Sequence, residues 1–447
     1  MIGKTCSLTG EGTLPYNIHI YIIEVCELFL RGSLMIPVHN EVLLDLESRK
    51  CFEYFRNETN MIPGSPGYGL VRDRAPSNAH VSSIAATGFA LTALTIGVRR
   101  GWISWQAAYE RTMGTLHTLL NHAEHVNGFF YHFLDLYSAK RIWNCEVSNI
   151  DSAILLCGAI SAGEFFGPLV LEKAYAIYER MNWTWFLDRS CNRFYLGYTK
   201  ETGFFGHWDS YAEQLMMYFL ALASPKSVNT DTYYAFERYR EGYKDIEPFI
   251  YSYTGALFTY QFSHAWFDLR NKTDQEGIDW WENSIRATKA ARLYAMEYES
   301  KFKTFGPSSW GLTACDGPSG YSGMYGSPPR MTSSIHTGND GTVPPCGAIG
   351  SIVFTPVESM TAMAHYAQQP GLWGMYGFKD AYNRDQAWIA SDCIGIDKGI
   401  SLLMIENYRS GFVWDLFMKN ESVRTGMKKA GLQKKIKKFP VIQKAMT

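Results

Sequence analysis

Charge is scarce in this chain and favours neither sign. Asp, Glu, Lys and Arg make up 19% of 447 residues, below the ~25% usual for soluble proteins. The 42 basic and 43 acidic side chains leave a formal net charge of −1. With no basic surplus to gather phosphates, nucleic acid is excluded as an expected partner. Cysteine is sparse too: nine residues, scattered, with no CxxC and no paired Cys/His spacing. That pattern supports neither a disulfide scaffold nor a structural zinc site, and the thiols read as mostly buried. The apolar stretch 18–30 carries Glu24 and Glu27 and falls short of the ~20 apolar residues a spanning helix needs, so no membrane span is expected there. Only Lys4 stands where a secretory leader would place its basic region, and the chain reads as leaderless and cytoplasmic as it stands. GxxxxGK[ST], HExxH, GxSxG and a strand-borne GxGxxG are all missing, which removes the commonest phosphate, zinc, serine-hydrolase and dinucleotide chemistries. No cofactor and no metal are expected.

What the chain has instead is aromatic rings, at 15% of residues, and helical periodicity. Residues 83–98 (IAATGFALTALTIG in their middle) are apolar on every face and too long for a strand, whereas 104–122 place Ala107, Tyr109, Met113, Leu116 and Leu120 on one side with Glu110 and Arg111 between them. The alternation returns: 149–163 smooth, 168–181 one-sided with Pro168 in its first turn, 209–224 smooth again. Further helices are expected at 42–55, 231–240, 259–270, 277–300, 356–368, 398–409 and 413–418, about twelve in all. Helices apolar all round alternating with one-sided ones are what two concentric rings require, so the fold expected is all-α, a barrel of two helical rings. Short hairpins are expected at 128–142 and 193–206. Residues 305–350 hold 10 glycines and 6 prolines together with Trp310, Tyr321, Tyr325, Asp316 and Asp340. A loop so long and so aromatic is expected to line a groove. An extension (1–40), a catalytic domain (41–432) and a basic tail (433–447) complete the expected organisation.

In a helical double ring the useful acids stand near the starts of smooth helices, which singles out Asp135, Asp151, Glu213 and Asp397. Two carboxyls flanking a glycosidic bond suffice for hydrolysis, one protonated and one ionised. Glu213, placed one turn into a helix among Trp208, Tyr211, Leu215 and Met216, is the better acid, because desolvation raises its pKa. Asp397, in a glycine-flanked turn before a helix, gains from the helix N-terminus and is the better base. Asp151 is equally an ordinary N-cap residue. Trp208, Tyr211, His264, Trp266, Trp310, Tyr325 and Trp373 are the aromatic candidates for holding substrate, although a lone His among rings is more often a core residue.

Several longer words share one resemblance: Gly128-Phe129-Phe130-Tyr131-His132-Phe133, Ser148-Asn149-Ile150-Asp151, Gln261-Phe262-Ser263-His264-Ala265-Trp266, Trp310-Gly311-Leu312-Thr313, Asp340-Gly341-Thr342-Val343, Leu372-Trp373-Gly374-Met375-Tyr376-Gly377-Phe378 and Glu406-Asn407-Tyr408-Arg409. In this order they resemble the bacterial glycoamylase-like family, most closely glycoside hydrolase family 144, the endo-β-1,2-glucanases, over residues 42–432. The resemblance implies an (α/α)6 barrel and metal-independent, inverting hydrolysis of linear β-1,2-glucan to short sophoro-oligosaccharides. By position it implies Glu213 as acid, Asp397 as base acting through water, and Asp135 as a further pocket acid, with Asp151 and the aromatics above binding substrate. Val71-Arg72 stands where an Ile-Pro pair is expected before Asp73-Arg74, and Cys315 and Cys346 are also departures. They bear on subsite preference more than on reaction type. Exo action or transglycosylation on the same linkage, or glycan binding without catalysis, are the alternatives. Oligomeric state is left open.

Overall fold

The computed structural model describes residues 40–331 and 338–435. The expected N-terminal extension, six residues of the Gly/Pro-rich segment and nearly all of the basic tail lie outside the described residues.

Helix Ile84–Arg99 forms because its residues are apolar throughout and Ser83 caps it, accepting a hydrogen bond from the Ala86 N–H. Residues Ile84 to Gly97 are all buried. The helix packs on Asn149–Phe166, which is equally smooth and capped by Ser148. Glycine decides how closely: a Cβ on Gly158 would lie 1.9 Å from the Gly88 carbonyl oxygen, so the two backbones touch there and no side chain fits. Asn149–Phe166 is long and apolar enough to cross a membrane, but 78% of it is buried inside the protein, as befits a core helix. Gly395–Ser410 packs on both Ile84–Arg99 and Asn40–Asn57, with Gly399 against the Phe89 ring.

The one-sided helices behave differently. Trp105–Asn121 buries Ala108, Thr112, Thr115, Leu116, Thr118 and Leu119. Of the expected stripe only Leu116 is fully buried; Ala107, Tyr109, Met113 and Leu120 are half-buried, because threonines, which sequence polarity counts as outward, fill much of the buried face. Pro168–Arg180 begins on proline after Gly167 and buries Val170, Ala174, Ile177 and Tyr178.

Fourteen α-helices occur among the described residues. Three expectations fail locally. The helix expected at 209–224 begins only at Leu215, the one at 231–240 is the single turn Asp231–Tyr234, and the one at 259–270 shrinks to a 3-10 turn and Phe262–Trp266. Pro345–Ile349, inside the Gly/Pro-rich segment, was not anticipated, and a final helix, Glu421–Lys429, opens the basic stretch. The latter packs on Leu215–Ala223, and its Lys429 ammonium donates to the Leu222 carbonyl.

The label all-α is too narrow. Among the described residues there are eight two-stranded antiparallel ladders and one four-stranded sheet. The hairpins expected near 128–142 and 193–206 are present, the latter as Arg193–Thr199 with Gly203–His207. The additional strands have a common position. Val81–Ser83 leads directly into Ile84–Arg99, Val147–Ser148 into Asn149–Phe166, and Cys393–Ile394 into Gly395–Ser410. Each pairs with a distant segment: Val81–Ser83 with Phe133–Asp135, Val147–Ser148 with Arg193–Thr199, Cys393–Ile394 with Arg74–Ala75. The N-terminal ends of these three long buried helices are thus laced by strands, and Asp151 and Asp397 stand in the first turns of two of them.

Candidate active site

Glu213 lies in a bend two residues before Leu215–Ala223, not one turn inside a helix as expected. Its backbone is clamped. Ser263 Oγ donates to the Glu213 carbonyl at 2.8 Å and accepts from Met216 N–H at 3.0 Å, while the buried Gln214 side chain closes the bend by bonding Ala212 N and Ser210 O. The carboxyl itself has no hydrogen-bonded partner on another described side chain. Burial first, and then the charge of Asp151, push its pKa up to about 7, against the opposing pull of its own backbone amide. An acid half-exposed, unpartnered and protonated near neutrality can give its proton to a ligand.

Asp151 stands in the first turn of Asn149–Phe166. Its neighbour is His132, whose Nε2 lies 3.8 Å from Asp151 Oδ2 and whose Nδ1 is 2.8 Å from Glu146 Oε1. Burial works against a charge on His132, but Asp151, Glu146 and Asp73 outweigh it and lift its pKa to about 9, so the ring is an imidazolium at neutral pH. It stacks on Phe133 at 3.8 Å. Asp73 joins through Arg74, whose guanidinium also binds both oxygens of Asp316 at 2.9 and 3.1 Å. Over Arg74 sits Tyr321, 51% exposed.

Asp397 is the third residue of Gly395–Ser410 and buried. Burial raises its pKa, so the helix N-terminus alone does not set its charge, contrary to expectation. What counters burial is a set of contacts: a hydrogen bond with Asp380, another with the Cys346 thiol, and the charge of Lys398. Asp380 is pushed much further up, by burial and then by Asp397 itself. Two carboxyls in contact cannot both ionise. The proton therefore rests on Asp380, which donates it to Asp397 and leaves Asp397 as the charged member. Asp380 Oδ2 is meanwhile held by the Asp316 N–H at 2.6 Å. Beside the pair lies a cavity of about 10 Å³, lined among others by Glu47, Cys346 and Lys398, close to the room one water needs. Lys398 is neutralised there by Glu47 at 3.0 Å.

The remaining expected residues divide clearly. Asp135 is a turn residue. Its Oδ1 accepts from Tyr137 N, Ser138 N and Ser138 Oγ, which holds its pKa down despite some burial, and neither Glu213 nor Asp397 is among its charge neighbours. Trp208 is nearly buried and donates to Asn149 Oδ1 at 3.2 Å, tying the Glu213 segment to the head of the Asn149–Phe166 helix. Tyr211, His264, Trp266, Trp310 and Tyr325 are buried, with relative exposures of 0 to 4%, and offer no face to a substrate. Tyr211 stacks on Trp280. His264 Nε2 meets Ser284 Oγ, and burial lowers its pKa to about 3. Trp266 donates to Thr92 Oγ1, and Tyr325 to Asp340 Oδ2. Trp373, half-buried, packs edge-on against Phe378. The Gly/Pro-rich segment thus sends Trp310 and Tyr325 into the core and presents Tyr321 outward from the hairpin Cys315–Gly317/Gly320–Ser322, while Asp316 is buried against Arg74. Asp380 escaped sequence reasoning altogether, since Lys379-Asp380-Ala381 has no distinguishing pattern. His132 and Arg74 had a signal, lying within words quoted for the resemblance.

The fold is similar to that of glycoamylase-like proteins. It superposes on a "putative glucoamylase" of Bacteroides uniformis with a TM-score of 0.81 at 25% identity, covering 89% of this chain and 99% of that one. It superposes on an endo-β-1,2-glucanase of Chitinophaga pinensis with a TM-score of 0.79 at 24% identity, covering 89% and 99%. Residues 206–421, which include Glu213, Asp380 and Asp397, match the glycoamylase family model, described as "putative glucoamylase". A curated relative from Parabacteroides distasonis, an exo β-1,2-glucooligosaccharide sophorohydrolase acting from the non-reducing end, is 25% identical over 88% of this chain. The chain spans 58% of that relative's length.

Proposed function

We propose that this chain is an inverting glycoside hydrolase of β-1,2-linked glucans, of the family 144 type. The observation that carries the reading is Glu213: a half-exposed carboxyl with a pKa near 7 and no partner for its proton, inside the stretch that matches the family. Glu213 protonates the glycosidic oxygen as the bond to the anomeric carbon breaks. A water on the opposite ring face attacks that carbon and gives its proton, directly or through a relay, to Asp397, kept ionised by Asp380. Inversion requires the two carboxyls to stand at least ~6.5 Å apart so that water fits between substrate and base. The charge of Asp151, beside His132, adds to the burial that keeps Glu213 protonated. Smooth helices alternating with one-sided ones support closure of the helices as an (α/α)6 double ring.

A time course on linear β-1,2-glucan tests this. Endo cleavage gives a ladder of sophoro-oligosaccharides early. The exo reading, which the Parabacteroides relative favours, gives sophorose from the first minutes. No hydrolysis by the wild type, or turnover by Glu213→Gln at the wild-type rate, would end the proposal.

A further inference from the structure

Most described cysteines are buried; Cys191 is the one fully exposed. It follows strand Leu187–Asp188 in the turn that leads to Arg193–Thr199. That central strand pairs on one side with Leu187–Asp188 (Asp188 opposite Arg193) and on the other with Gly203–His207 (His207 opposite Tyr195). The register brings an Asp188 oxygen, the Cys191 sulfur and a His207 ring nitrogen within 4.8 Å of one another.

Two of the three groups are already oriented. Ser190 binds Asp188 Oδ1 through its N–H at 2.8 Å and its hydroxyl at 2.6 Å, which leaves Oδ2 facing His207 Nε2 at 3.0 Å. The His207 ring is fixed by stacking on Tyr195 at 4.7 Å. Zinc bonds of roughly 2.0 Å to nitrogen and oxygen and 2.3 Å to sulfur, at tetrahedral angles, place ligand atoms about 3.3 to 3.6 Å apart. The carboxylate and imidazole are already near that spacing, and the thiol sits on an exposed turn where a small rotation brings it in. Carboxylate alone would suit calcium or magnesium, whereas thiolate with imidazole selects zinc.

We propose that Asp188, Cys191 and His207 bind one zinc ion, with water in the fourth position. On binding, Cys191 gives its proton to solvent, and the Nε2 proton that His207 shares with Asp188 is likewise lost to solvent, which leaves a neutral imidazole with its proton on Nδ1 and the Nε2 lone pair bonded to the metal. The two anionic ligands neutralise the ion. The site clasps both outer strands of the hairpin whose end runs through Trp208 to Glu213, so its effect is on the stability of that segment and takes no part in the chemistry. The other cluster with suitable atoms, His132, Glu146 and Asp151, contains no thiol.

The full chain, stripped of metal by a chelator, is titrated with Co²⁺ and then Zn²⁺. One Co²⁺ per chain with a near-ultraviolet thiolate-to-cobalt charge-transfer band is expected. Cys191→Ser should abolish the band and weaken Zn²⁺ binding at least tenfold, His207→Gln should weaken it similarly, and Cys145→Ser should change neither. Without any variant, Zn²⁺ should slow alkylation of Cys191, followed by peptide mass spectrometry, at least tenfold. A wild type without the band, a band that survives in Cys191→Ser, or an alkylation rate indifferent to Zn²⁺ overturns the proposal.

Discussion

Glu213 and Asp397 both stand at the head of a buried helix, and burial raises the pKa of both. Their surroundings differ in one respect. The Glu213 carboxyl meets no other described side chain and is opposed only by its own backbone amide, while the charge of Asp151 adds to burial, so the proton stays. Asp397 has a donor on each side, Asp380 and Cys346, and a cation next to it in sequence, so the proton moves to Asp380. A pair of acids is set apart by what each carboxyl is allowed to touch, more than by depth.

Glu213→Gln keeps the shape and removes the proton. It should lower kcat by roughly 10² to 10⁴ with the fold intact by circular dichroism. A fully active variant would dissolve the contrast from one side.

Asp397→Asn tests the other side and should lower kcat by roughly 10² or more. If Asp397 merely capped its helix, Asn would serve nearly as well and activity would persist, which would move the base to Asp151. Asp380 sharpens the point. Asp380→Asn can still donate to Asp397 and accept from Asp316 N–H, and should stay within about threefold of wild type, whereas Asp380→Ala should lose on the order of tenfold or more, since the buried charge of Asp397 is left without its donor. Equal effects of Asn and Ala would show that no proton is being offered.

The pH dependence follows from Glu213. It must be protonated to act, so kcat/KM should fall as pH rises through about 7. Its folded pKa lies above the ordinary value of 4.5, so the folded chain holds the extra proton between the two values. This group's contribution to stability is present below about 4.5 and is lost as pH rises towards 7. Glu213→Gln should remove that slope, leaving the variant more stable than wild type at pH 8 by on the order of 1 to 2 kcal/mol, allowing for partial exposure. Denaturant melts of both proteins at pH 5 and pH 8 measure it, and parallel pH curves would contradict the assignment.

The smallest effect expected is at Asp135, whose Oδ1 caps a hairpin turn. Asp135→Asn preserves that acceptor and should change kcat by less than about twofold and stability by less than ~1 kcal/mol. A large loss of activity would return Asp135 to the catalytic set.

Much of this architecture was legible in the sequence, because helices are written locally. The smooth runs at 83–98 and 149–163 and the proline-led helix at 168 stand where their periodicity and caps put them. Where the reading failed, the competing interaction is visible. The helix before Leu215 is replaced by a bend that Gln214 and Ser263 hold from the side chain, and threonine faces inward on Trp105–Asn121 because its hydroxyl bonds within its own helix, as Thr115 does to the Arg111 carbonyl. Glu213 lies where burial raises its pKa, as its sequence surroundings suggested, whereas the charge of Asp397 is governed by Asp380 and Cys346 rather than by its helix N-terminus alone. The buried rings Trp266, Trp310 and Tyr325 were misassigned because an aromatic residue reads alike whether it faces a sugar or a core.

By itself, the sequence determined the helices, their two kinds, the acid-bearing segments and the family likeness, all of which depend on neighbours within a few residues. Only the tertiary structure decided which side chains share a proton or a ligand. Asp380 meets Asp397 because its N–H bonds the Asp392 carbonyl just ahead of the helix that carries Asp397, and Asp188 meets His207 across a third strand. A pKa or a metal site depends on atoms a few ångströms apart in space, and that spacing is set by strand register and backbone contact between distant segments.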